Sequence, residues 1–118
     1  MSEAERQARI TDALSMFGFL WQHVRPSVDV GRGKGWRTAI SGDKGSPDLL
    51  AVHPERGQLL LIEVKADKGR LTAEQQAWGT ALRAALNQQG SLSPGYWVCD
   101  SDESERALIA LISGGRVR

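Results

Sequence analysis

Two charged residues, Glu63 and Lys65, close the otherwise apolar run Leu59-Leu60-Leu61-Ile62-Glu63-Val64-Lys65. An acid and a base among buried apolar residues need partners or work to do. Side chains alternate across a strand, so Glu63 and Lys65 share one face and Val64 takes the other. The preceding apolar segment opens with Pro47-Asp48. In a hairpin turning at residues 54–57, Asp48 lies opposite the far end of the second strand, near residues 63–65. Two carboxylates and an amine then converge at one end of a sheet. That set suits metal-assisted hydrolysis of a phosphodiester. Paired carboxylate oxygens bind a hard cation such as Mg²⁺, which polarises a phosphoryl oxygen and lowers the pKa of a bound water. A lysine beside it can orient the water or stabilise the charge that develops on phosphate. Taken alone, an acid-x-Lys pair is better explained as a structural salt bridge, so its surroundings have to decide.

The elements that must position these residues are readable from periodicity and punctuation. Residues 2–17 predict a helix, with Ile10, Leu14 and Phe17 at helical spacing and Ser2-Glu3-Ala4-Glu5 as a capping box. Gly18 is its stop. Residues 19–25 predict a strand ended by Pro26. Residues 48–53 and 58–66 predict the antiparallel hairpin, with Pro54-Glu55-Arg56-Gly57 as its turn. A second capping box, Thr72 to Gln75, opens a helix whose apolar stripe is Trp78, Leu82 and Ala85, flanked by Ala81 and Leu86. After Ser93-Pro94-Gly95, Tyr96 to Cys99 predict a core strand. Asp100 to Glu105 open a last helix, running from Asp102 to Ile112 with Leu108, Ile109, Leu111 and Ile112 as its apolar positions. These positions suit packing on the sheet or a dimer contact. The order α-β-β-β-α-β-α predicts an α/β fold, a central mixed sheet flanked by helices.

A chain of 118 residues, with 25% charged and 41% hydrophobic residues, fits one globular domain over residues 1–118. Its single cysteine, Cys99, excludes a disulfide framework and a multi-thiolate zinc site, and reads as a buried strand residue. No apolar stretch approaches the roughly 20 residues that span a bilayer. The charged start, Met1 to Arg9, lacks the apolar segment of a signal peptide, which points to the cytoplasm. Net charge is only +1, but Arg25, Arg32, Lys34, Arg37 and Lys44 cluster among glycines. Such a loop can follow a phosphate backbone, or it can be an ordinary solvated loop. Trp36 within it could stack on an unpaired base or anchor the loop. Trp21, Trp78 and Trp97 read as core. His23 and His53, at strand ends without metal-ligand spacing, read as ordinary polar positions.

Gly45-Ser46-Pro47-Asp48, then Ile62-Glu63-Val64-Lys65, then Gly69-Arg70-Leu71-Thr72 and Gln75 together resemble the VRR-NUC domain (virus-type replication-repair nuclease), a branch of the PD-(D/E)xK nuclease superfamily. The resemblance runs from about Ser2 to Asp100. It implies a restriction-endonuclease-like core and a nuclease using Mg²⁺ or Mn²⁺. Asp48, Glu63 and the Val64 carbonyl would be metal ligands and Lys65 the catalytic lysine. Gln75 would stand near the site as well as capping its helix. The family also places an acidic residue in its first helix. Counting back from Ile10, the inward positions are Gln7, where some members carry glutamate, and Glu3. Glu3 is therefore favoured over Glu5, which serves the capping box. Arg32, Lys34, Trp36, Arg37 and Lys44 would meet nucleic acid. The resemblance further implies a homodimer acting on branched DNA such as four-way junctions, in replication or repair.

Three rival readings remain at this stage. A nicking or restriction-type endonuclease would share the fold and differ in its loops. A non-catalytic nucleic-acid-binding module would have no need of two carboxylates that repel DNA when no metal is bound. A purely structural domain would lose only stability on replacement of Asp48 or Lys65.

Overall fold

In the computed structural model, which describes residues 2–24, 27–28, 38–39, 42–88 and 95–114, the first helix forms where its signals place it. Helix α1 spans Glu3–Met16. Its capping box is complete: Ser2 Oγ accepts from the Glu5 N–H at 3.0 Å and Glu5 Oε1 accepts from the Ser2 N–H at 2.9 Å. Gly18 follows with φ +84°, a conformation that favours glycine, and turns the chain into the sheet.

Strand β1 spans Leu20–His23. Beyond it, two short strands, β2 (Ser27–Val28) and β3 (Thr38–Ala39), pair antiparallel as a separate ribbon. The sequence pattern anticipates three strands before the second helix, and the described residues hold five. Two residues per strand are too few to show a period of two, which is why the ribbon leaves no trace in the pattern. Strands β4 (Leu49–His53) and β5 (Gln58–Val64) form the expected hairpin, and β6 spans Tyr96–Cys99. The main sheet has the order β1-β4-β5-β6. Its first two pairings are antiparallel and β5–β6 is parallel, so the sheet is mixed as expected.

Leu49 pairs with Ile62 and Ala51 with Leu60, so these four share one face of the sheet with Val64. All are buried, together with Ile10 and Leu14 of α1, Phe19, and Cys99. Helix α3 (Asp102–Ile112) adds Leu108 and Ile112. Each fully buried aliphatic side chain here contributes about 1.5–3 kcal/mol. Helix α3 thus packs on β6 and α1, which settles its place between the two expected. Helix α2 (Ala73–Gln88) covers the opposite face beside β6, where Gly79 lies against the Tyr96 ring.

Two aromatic expectations change. Trp21 is 39% exposed and donates its indole N–H to Ser15 Oγ at 2.8 Å. It sits on an edge strand, where one flank has no neighbour to cover it. Trp78 is half-buried, with its N–H on the Lys44 carbonyl at 2.9 Å, and Trp97 packs at the margin of the core. His53 is buried against Phe19 in an edge-to-face contact, at the turn end of its strand.

Candidate active site

The hairpin register puts the carboxylates together. With Leu49 opposite Ile62, the next rung outward sets Asp48 against Glu63, on the face that α2 covers. Asp48 Oδ2 accepts the Val64 N–H at 2.8 Å, so the carboxylate is tied to the strand that carries Glu63. The Asp48 carbonyl accepts the Val24 N–H at 2.7 Å, which fastens the end of β1 to the same point.

Glu63 is 1% exposed. Burial pushes its carboxyl up to about 8, and the hydrogen bond and the charge of Asp48 push the same way. The Lys65 ammonium opposes the rise, and Glu3 adds a further like charge. A carboxyl buried beside another acid ionises only at a cost, so without a cation Glu63 keeps its proton well above the usual carboxylate range. Lys65 is half-buried just beyond the end of β5, and its N–H donates to the Cys99 carbonyl at 2.8 Å.

Gln75 fills both of its expected roles. Its Oε1 accepts the Thr72 N–H at 2.9 Å, while Thr72 Oγ1 accepts the Gln75 N–H at 3.1 Å. Its Nε2 donates to Glu63 Oε2 at 3.1 Å. The first turn of α2 thus holds the Glu63 carboxylate from the side opposite the core. Gly45 explains why the loop before Asp48 can lie so close to that turn. It has φ +98°, and a Cβ there would stand 2.6 Å from the backbone of Glu74. No other residue fits both demands. The Trp78 indole on the Lys44 carbonyl holds the same loop from below.

The Lys44 side chain is exposed beside the start of α2. Arg32, Lys34, Trp36 and Arg37 lie outside the described residues, so their expected part in binding rests on sequence alone. Among the described residues no group of three or more His, Cys, Asp and Glu side chains is placed to hold a metal ion. The candidate set is a carboxylate pair with adjoining backbone oxygen. That set fits a hard divalent cation, which takes few protein ligands and keeps several waters; such a cation would take the place of the proton on Glu63.

Two contacts here escape the sequence reading. Gln7 is buried, as its inward position implies, but its amide lies against the His23 ring. Arg6 is fully buried and touches four acceptors from two distant parts of the chain. Arg6 lies four residues before Ile10, a spacing that does put it on the inward stripe. Its partners, far along the chain, give no such signal. Cys99 is buried, and burial pushes its thiol up to about 12, as befits a core residue and not a nucleophile. Among the described residues, no helix is long and apolar enough to cross a membrane.

Compared with known families, residues 31–92, just over half of the chain, match the family model of the VRR-NUC domain. The matched segment carries Asp48, Glu63, Val64, Lys65 and Gln75. Neither the curated proteins nor the solved structures include a match to the chain.

Proposed function

Because this chain belongs to the VRR-NUC family, a family of nucleases, we propose that it is a metal-dependent DNA endonuclease whose reaction centre is Asp48, Glu63, Lys65 and Gln75. The observation that carries the reading is the pairing of buried Glu63 with half-buried Asp48, with Gln75 on an oxygen of Glu63 and Lys65 two residues on. Asp48, Glu63 and the Val64 carbonyl would hold Mg²⁺ or Mn²⁺. When bound, the cation supplies Lewis acidity toward a phosphoryl oxygen and a more acidic water. The protein's own contribution is positional. Gln75 orients the Glu63 carboxylate, the Val64 N–H orients that of Asp48, and Lys65 supplies positive charge where negative charge builds on phosphate. Glu3 would join them from α1. Lys44, with Arg32, Lys34, Trp36 and Arg37, would follow the DNA backbone.

In this reading residues 1–118 are one domain, since α1 and α3, outside the matched segment, supply much of the same core. Its substrate would be branched DNA such as a four-way junction, cut by a homodimer in replication or repair in the cytoplasm. Support for a dimer comes from an apolar row across the outer face of the sheet. Leu20 pairs with Val52 and Val52 with Leu59, and Leu20 and Leu59 are 72% and 42% exposed. A two-fold dimer presents two sites, which suits paired cuts on a symmetric junction.

The test is cleavage of labelled duplex, single-stranded, flapped and four-way-junction DNA with Mg²⁺ or Mn²⁺, alongside Asp48→Ala and Lys65→Ala. Metal-dependent cutting by the parent and only residual cutting by either folded variant supports the mechanism, and the preferred substrate names the role. Binding without cutting under either metal refutes it. Light scattering after size exclusion decides the dimer.

A further inference from the structure

The strand that carries the candidate site stops being a strand at its most important residue. Strand β5 ends at Val64, and the chain leaves the sheet through the turn Ala66–Gly69, in which the Gly69 N–H donates to the Ala66 carbonyl at 2.9 Å and Lys68 has φ +61°. Lys65 stands at this exit. On its N-terminal side its peptide is held by β6, through the Cys99 carbonyl at 2.8 Å. On its C-terminal side the ladder is finished, and the carbonyl of Lys65 accepts instead from Arg6 Nη1 at 2.7 Å. With both flanking peptide planes pinned, the backbone angles of Lys65 are fixed, and so is the direction in which its side chain leaves the backbone.

Arg6 is built into this place at some cost. It is 0% exposed, and a buried guanidinium is tolerated only when its donors are met. Its Nε donates to Glu105 Oε1 at 3.0 Å, and its Nη2 donates to Asp102 Oδ1 at 3.0 Å and to Asp67. Burial works against its charge, but Asp67, Glu105 and Asp102 outweigh it and hold the group protonated. Arg9 grips Glu105 from outside at 2.7 and 2.8 Å, which keeps that acceptor in place. A guanidinium can do this where an ammonium cannot, because its planar fork addresses a carbonyl and several carboxylates at fixed angles. The same residue lies one turn of α1 after Glu3, so it also ties the first turn of the helix to the strand exit.

We propose that Arg6 is a positioning residue for Lys65: it sets the peptide that aims the Lys65 ammonium at the Asp48–Glu63 pair. The inference rests on the nuclease reading for its catalytic consequence, but its structural half stands apart. A displacement of about 1 Å at a reacting group costs on the order of 100-fold in rate, so loss of this contact lowers turnover far more than it lowers DNA affinity.

The experiment compares Arg6→Met, which fills similar volume without donors, and Arg6→Lys, which retains the charge without the fork, in the full chain. Three readouts are taken: kcat and KM on the preferred DNA, the same in a Lys65→Ala background, and the ¹³C backbone shifts of Lys65. We expect kcat to fall 10- to 100-fold in Arg6→Met with KM within about twofold, and Arg6→Lys to fall between it and wild type. In the Lys65→Ala background the same change should cost nothing further, because an effect exerted through Lys65 is already gone. The Lys65 shifts, which report its backbone angles, should move while those of Leu60 and Ile62 stay. Equal activity losses with and without Lys65 overturn the proposal. So do unmoved Lys65 shifts in either folded variant, whether or not the wild-type protein cuts DNA. If Arg6→Met does not fold, Arg6→Lys decides by the same readouts. A wild-type protein that cuts nothing, with Lys65 shifts that do move, refutes the nuclease reading and leaves the positional role intact.

Discussion

Glu63→Gln offers the sharpest test of the carboxylate pair, because it can be read without any DNA. The folded protein holds the Glu63 carboxyl up to about 8 against an ordinary value of 4.5. Below the ordinary value both folded and unfolded chains keep the proton, and the fold carries no penalty from it. As pH rises from there, the unfolded chain releases the proton and the folded chain retains it, so stability falls at about 1.4 kcal/mol per pH unit. The loss is complete once pH passes through the folded value. The full window would give about 5 kcal/mol, but Asp48 is half-buried and solvent screens part of its charge. A net loss of about 2–3 kcal/mol is expected, roughly 6–15 °C in Tm for a chain of this size. The glutamine cannot ionise and mimics the protonated acid, so Glu63→Gln should show a much flatter profile. Thermal unfolding in EDTA between pH 5 and 8.5 measures both. Adding Mg²⁺ at pH 8 should recover the lost stability in the wild type, by about 2.7 kcal/mol at 100 times its Kd, and do little for the variant. Parallel pH profiles for the two proteins in EDTA would refute the argument that burial holds the Glu63 proton. An equal Mg²⁺ response would remove the pair as the cation site.

Other consequences are simpler to check. Gly45→Ala meets both a strained backbone and the start of α2, and should cost about 2–4 kcal/mol in denaturant unfolding together with most of the activity. Gln75→Ala loses the cap and the Glu63 contact, with a stability loss of about 1 kcal/mol. Gln75→Glu retains the cap but turns the donor facing Glu63 into a carboxylate; cleavage should fall in both variants, while unfolding with Mg²⁺ present shifts mainly in the alanine one. Cys99 should resist a thiol reagent at pH 8 in the native protein and react fully in denaturant; fast native labelling would contradict its burial.

Much of the fold is visible in the amino-acid order because its signals are local. The Ser2–Glu5 and Thr72–Gln75 boxes mark helix starts over four residues each, and both form as read. The apolar runs on either side of Pro54–Gly57 have one sensible pairing, and from it the opposition of Asp48 and Glu63 follows by counting. The candidate site was legible for the same reason: its residues belong to one hairpin and the helix that follows, and the pleat dictates which of them share a face.

What only the tertiary structure decides are the contacts between distant segments. Nothing near Arg6 in the chain foretells Lys65, Asp67, Asp102 and Glu105, because charged partners carry no periodic signature and meet only when α1, α3 and the exit of β5 converge. The raised carboxyl of Glu63 is likewise a property of burial, supplied by α2 closing over the sheet, and not of the residue. Trp21 was read as core from its type and lies at an open edge, because exposure depends on which strand ends the sheet. The sequence determined which chemistry is available and on which strands it sits. The fold determined the burial of Glu63 and the hydrogen bonds that hold its neighbours, since both depend on what is packed against them through space.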